Sequence, residues 1–214
     1  MTTKGLILLT AVLLSSLNRG FATTYYVNVN NPSPGSGLTW ATAFTDLNLA
    51  LAAVSAGDQI WVAKGTYKPT TTTNRAATFL ITQECSIYGG FNGTETAATM
   101  ANPTANPTIL SGDIGTVGDP TDNSYHVVTY ESPSASIITM NGFTITGGNA
   151  NAGYPGSTTP ALDNTGGGFL EWVTGGQTES VTLSHCTFTD NFAVYGGGFG
   201  AYGDGSQTAY GIVY

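Results

Sequence analysis

The sequence predicts an all-β protein, a right-handed parallel β-helix whose open first turn is covered by a short amino-terminal helix. Three observations predict it: the chain echoes itself at fixed offsets, the echoing segments alternate apolar and polar residues, and Gly or Asn follows them. The clearest echo sets MNGFTITGGNA (140–150) on LSHCTFTDNFA (183–193), 43 residues on and without a gap. TGGGFLEW (165–172) returns as YGGGFGAY (195–202), 30 residues on. Such self-similarity marks solenoids, in which each unit buries its apolar face against the next. The 43-residue period is read as about two coils, each stacked on its neighbour at about 4.8 Å.

The first element is a leader. Lys4 precedes an apolar run over residues 5–17, and Gly20 and Ala22 place small side chains where a signal peptidase reads them. The run is too short to cross about 30 Å of hydrocarbon as a helix. Residues 1–22 are therefore expected to be removed on secretion, and no later segment is apolar enough to span a bilayer. The 192 residues that remain suffice for one domain with a full core.

Residues 23–70 read as the cap and first strand. Thr45 or Asp46 can cap a helix that carries Leu47, Leu51 and Val54 on one face, and Gly57 and Asp58 end it. QIWVAKGTY (59–67) then begins a strand. Residues 71–214 read as β-helix coils. Val181 and Leu183 alternate with Thr182 and Ser184, and Cys186 and Phe188 with Thr187 and Thr189. Asn191 and the glycines at 196–198 follow where the chain must bend, Asn191 to bond backbone and the glycines to turn. DGSQTAYGIVY (204–214) reaches what would be a further strand, by analogy with GGQTESVTLSH (175–185), so the coils read as truncated at the carboxy terminus.

These segments carry a resemblance. YYVNVNNPSPGSGLTWATAFTDLNLALAAVSAGDQIWVAKGTY (25–67), IYGGFNGTET (87–96), ILSGDI (109–114) and MNGFTITGGNA together resemble the amino-terminal part of secreted right-handed β-helix proteins of the pectate-lyase-like superfamily, common in Bacteroidota and Planctomycetota. FTDN (188–191) is similar to the FxxN repeat of chlamydial polymorphic outer-membrane proteins. GGGF (196–199) departs from their GGA[ILV] repeat, with Gly and Phe where Ala and an aliphatic are usual. The resemblance implies the fold more than a function, because related scaffolds carry lyases, hydrolases, adhesins and autotransporter passengers.

Charge narrows the partners. Beyond Ala22 the 3 cations Lys64, Lys68 and Arg75 face all 13 Asp and Glu, which leaves −10. Such a surface repels phosphate backbones, so nucleic acid is excluded as a partner. Acidic polysaccharide is disfavoured unless calcium bridges the two. With 41% apolar residues and only 8% charged, the chain lacks the signature of disorder.

Candidate sites are few. Asp113, Asp119, Asp122 and Asn123 gather hard oxygens of the kind Ca²⁺ takes in one Gly/Pro-rich loop. Acidic turn residues that cap their own backbone explain the same pattern. Calcium is the one cofactor the sequence suggests. Glycoside hydrolysis wants two carboxylates about 5–10 Å apart, and Glu171 with Asp190 is the best such pair if adjacent coils join them; a solvated strand position explains Glu171 as well. Lyase chemistry wants a Lys or Arg base, yet Lys64, Lys68 and Arg75 all lie near the cap. Trp172, Tyr195 and Tyr202 follow glycines beside the turns and could stack on sugar rings, while core packing or surface decoration explains them as well.

Cys186 aligns with Phe143, a core position, and its neighbour His185 points to the opposite face, so the two form no catalytic pair. Cys85 lies 101 residues away, read as four to five coils or roughly 20 Å, too far for a disulfide. The expectation is an extracellular or cell-surface structural or adhesive module that touches a glycan. The alternative is a polysaccharide lyase or glycoside hydrolase of the pectate-lyase-like type.

Overall fold

The computed structural model describes residues 22–131, 136–154, 156, 161–173, 178–203 and 208–213; the expected leader lies outside them except for Ala22. The chain is mostly β, with parallel sheets and one α-helix among the described residues. It opens with strand β1 (Thr24–Val27), a 3-10 turn at Trp40–Thr42 and helix α1 (Leu47–Ala53).

Four passes through the same three sheets follow. The first is β2 (Asp58–Ala63), β3 (Gly65–Tyr67) and β4 (Phe79–Ile81). The second is β5 (Cys85–Phe91), β6 (Thr108–Ser111) and β7 (Val128–Tyr130). The third is β8 (Ile137–Asn141), β9 (Phe143–Thr146), the short β10 (Asn149–Ala150) and β11 (Phe169–Val173). The fourth is β12 (Thr178–Ser184), β13 (Thr187–Thr189), β14 (Phe192–Ala193) and β15 (Phe199–Gly203), after which β16 (Thr208–Val213) returns to the first sheet. The first sheet runs β1-β2-β5-β8-β12-β16, the second β3-β6-β9-β13 and the third β4-β7-β11-β15, with β10-β14 as a two-stranded corner. All these pairings are parallel.

The sequence echoes are the hydrogen-bonded registers. Met140 pairs with Leu183 and Ile145 with Phe188, the 43-residue offset. Phe169 pairs with Phe199 and Trp172 with Tyr202, the 30-residue offset. These registers correct two expectations. The 43 residues make one pass and not two coils, because β8 and β12 are immediate neighbours. Passes also differ in length: Ser86 pairs with Gln59, 27 residues earlier, and with Thr139, 53 later. Loops inserted at the corners absorb the difference. Consequently β5, which begins at Cys85, and β12, which ends two residues before Cys186, are separated by two strand positions in the first sheet rather than four to five coils. Two spacings of about 4.8 Å still exceed disulfide reach, and both cysteines are free.

Inside, identical phases stack into ladders. Ile60, Ile87, Met140 and Leu183 form one, and Tyr67, Leu110, Ile145 and Phe188 a second. Phe79, Val128, Phe169 and Phe199 form a third. Each fully buried side chain of this size contributes about 1.5–3 kcal/mol. Helix α1 covers the first pass: Asp46 is its N-cap, accepting from the Asn48 amide at 2.9 Å, and Leu47, Ala50 and Leu51 are buried. Val54, expected on that face of the helix, is instead its extended C-cap. The buried Asp58 ties this end together, accepting from Thr23 N at 2.7 Å and Ser55 N at 2.9 Å.

The corners explain the glycines and Asn191. A side chain on Gly148 would collide with the Gly167 carbonyl, and one on Gly167 with the Phe192 carbonyl. Asn191 fills the corresponding place one pass later, accepting from Gly148 N at 2.9 Å and donating to Ile145 O at 2.8 Å. Gly142 and Gly147 have φ of 82° and 76°, and 43 residues on the same left-handed corners fall to His185 (φ 51°) and Asp190 (φ 53°). Left-handed backbone costs a non-Gly residue about 1–2 kcal/mol, so His185→Gly is expected to hold or raise stability. Gly142→Ala, whose methyl would meet Pro103, is expected to lower it by more than about 1 kcal/mol. Urea unfolding of the two variants checks this.

Candidate functional site

The acidic loop is built by its own turns. Asp113 Oδ1 accepts from Gly118 N at 3.1 Å, Asp122 Oδ2 from Thr116 N at 2.8 Å, and Asp119 Oδ1 from Thr121 N at 2.9 Å and Thr121 Oγ1 at 2.6 Å. The Asn123 carbonyl accepts from Arg75 Nε at 2.7 Å. Among the described residues no three His, Cys, Asp or Glu come together as a metal cage. The three carboxylates hold their own backbone, while Asp122 Oδ1 and Asn123 Oδ1 are buried with no hydrogen-bond partner among the described residues.

Arg75 is a strut. Beyond Asn123 O it reaches Asn149 O and Asn151 Oδ1, each at 2.8 Å, and its guanidinium lies 4.2 Å from the centre of the Tyr125 ring. It thereby pins loops from three passes together.

Glu171 and Asp190 part company. Glu171 shares register with Tyr130, and Tyr130 with Ile81, so the pleat turns it toward the interior, where it is fully buried. The reading of Glu171 as a solvated residue is overturned by that phase. Asp190 sits at an exposed left-handed corner after β13, on another sheet. It lines a cleft of about 350 Å³ with Asn123, Asn149 and the edge-to-face ring pair of Tyr154 and Phe192. The two carboxylates are not presented together as a hydrolytic pair.

The thiols are not nucleophiles. Burial, then Asp58 and Glu84, push Cys85 up to about 12. Burial also raises Cys186 above its ordinary value, and its sulfur packs against the core, 3.4 Å from Ser184 O. Neither is a thiolate at neutral pH.

Two of the three aromatics expected to face sugar are register neighbours. Trp172, one residue beyond Glu171, faces outward, half-buried, and pairs in register with Tyr202. Tyr195 lies apart, at the corner where it bridges to Thr165. Beside Trp172 the outer face of β4, β7 and β11 forms a cleft of about 210 Å³ lined by Leu80, Thr129, Leu170, His126, Glu131 and Asp163. His126, Glu131 and Asp163 were not legible as a group in the sequence, because they come from separate segments that only the register unites. The His126 Nδ1 lies 2.9 Å from Gly166 O, and its Nε2 is 4.0 Å from Asp163 Oδ1. Burial lowers the His126 pKa, against the opposing pull of the Gly166 carbonyl and Asp163.

Glu95 carried no sequence signal either. Burial raises its pKa, but the backbone N–H groups of Asn92, Glu95, Thr94 and Gly93 outweigh it and hold the carboxyl below its ordinary range. Its oxygens lie 2.7 Å from Asn92 N, 3.1 Å from Gly93 N and 3.0 Å from Thr94 N.

No family model matches the chain, and no curated protein or solved structure matches it either.

Two losses of stability on acidification follow from these shifts. His126 binds its proton later in the folded chain than in the unfolded one, so stability is full above the ordinary value of 6.5 and declines as pH falls through it. Glu95, held low, stabilises above its ordinary value of 4.5 and that contribution disappears as pH falls through the depressed one. Denaturant unfolding at a series of pH values is expected to show both, the first absent in His126→Asn. Glu95→Gln is expected to destabilise by about 1–3 kcal/mol at neutral pH.

Proposed function

We propose that the chain is a secreted or cell-surface right-handed parallel β-helix that serves as a structural or adhesive module and contacts carbohydrate. The fold reading is supported by the fixed order in which the chain visits three parallel sheets. Right-handedness follows from the strong preference of parallel crossovers, about 98% of cases. That topology agrees with the resemblance to pectate-lyase-like β-helix proteins and polymorphic outer-membrane proteins.

Secretion is supported at the expected cleavage point. Cleavage after Ala22 converts Thr23 N into an ammonium, and that nitrogen already lies 2.7 Å from the buried Asp58 Oδ1. The leader's removal would thus turn a hydrogen bond into a charge-assisted one. No helix among the described residues is long and apolar enough to cross a membrane.

The observation that carries glycan contact is the outward pair Trp172 and Tyr202 beside a ring-sized cleft on the third sheet. Aromatic faces pack on the apolar faces of sugar rings. The alternative of a polysaccharide lyase or glycoside hydrolase is tested by the same material. The protein purified from expression of the full chain is expected to be retained on a glycan array without releasing reducing or unsaturated sugars from those glycans. Trp172→Ala is expected to weaken retention about tenfold, about 1.4 kcal/mol. Sugar release would replace the adhesive reading with the enzymatic one, and retention unchanged by Trp172→Ala would remove the aromatic face from it. In a separate comparison, Asp58→Asn is expected to lower Tm more in a chain that begins at Thr23 than in one that keeps its leader.

A further inference from the structure

The cleft beside Trp172 is unusual in what it offers a ligand. Thr78 Oγ1 is 3.2 Å from Val127 O, which can only accept, so the Thr78 proton is spent there. Thr129 Oγ1, 3.0 Å from Thr78 Oγ1, must then donate to it. The Gly166 carbonyl likewise takes the Nδ1 proton of His126, which leaves Nε2 as a lone pair in the neutral ring. His126 is more than nine-tenths buried, and this Nε2 has no hydrogen bond among the described residues, only Asp163 at 4.0 Å. Glu131 and Asp163 add two carboxylates, and no Lys or Arg lines the cleft. Every polar group counted here presents an acceptor. The donors must come from the ligand.

A ligand that matches is rich in donors and carries positive charge. A simple alkylammonium supplies three N–H donors. Glu131, Asp163, His126 Nε2 and the Thr hydroxyls together exceed that number, so further donors, hydroxyls, are called for. Leu80, Leu170 and Trp172 add an apolar wall that suits the face of a ring. At about 210 Å³ the cleft has room for one ring and not for a chain of them. We propose that this cleft is a subsite for a protonated amino sugar, its ammonium held by Asp163 beside His126, its hydroxyls by Glu131 and its ring face on Trp172. The inference rests on the glycan-contact reading and names the class of sugar.

The test is titration of the purified full-chain product, followed by NMR, with glucosamine, glucose, N-acetylglucosamine and n-butylamine. Glucosamine is expected to bind at least tenfold more tightly than each of the other three. Glu131→Gln and Asp163→Asn are each expected to weaken it about three- to tenfold, and Glu84→Gln, an exposed carboxylate outside the cleft, is expected to leave it unchanged. Equal binding of glucose or N-acetylglucosamine overturns the role of the ammonium. Equal binding of n-butylamine overturns the role of the ring, and equal weakening by Glu84→Gln reduces the effect to net charge. Retention on neutral glycans without glucosamine binding sinks this inference alone; silence toward every glycan sinks the glycan-contact reading with it.

Discussion

Everything in this chain depends on parallel strands keeping one phase from pass to pass. Side chains alternate across a strand, so a slip of a single residue would move the ladder of Phe79, Val128, Phe169 and Phe199 from the interior to solvent. The phase is preserved even though passes range from 27 to 53 residues in the first sheet. Insertions fall at corners, where they alter no pairing. Close approach at those corners is what demands glycine at 148 and 167, and what makes Asn191, with its two backbone bonds, an acceptable replacement.

The acidic balance is handled by the same corners. With few cations available, carboxylates find backbone N–H groups instead of ion-pair partners. Glu95 gathers three of them within 3.1 Å, Asp58 two, and Asp113, Asp119 and Asp122 each close a turn. Charge-assisted bonds of this kind are stronger than neutral ones. Arg75 works in the complementary sense, a cation in the first pass that collects carbonyl oxygens from the second and the third.

The cleft on the third sheet is a by-product of phase. The alternation that buries Glu171 is the one that turns Trp172 outward. His126, Glu131 and Asp163 reach the same cleft from the flanks of β7 and from the turn before β11.

The sequence by itself determined a strand from Gln59, the alternating strands around Val181–Thr189, the offsets of their pairing in the later passes and the capping helix. Those features are local, or repeat with little change, so period-two alternation and self-similarity reveal them. Only the tertiary structure decided how many passes 43 residues make, that Glu171 faces inward and that the acidic loop closes on its own backbone. It also decided that His126, Glu131 and Asp163 share a cleft. Each of these depends on which segments become neighbours, and corner loops of unequal length hide that relation from any reading along the chain.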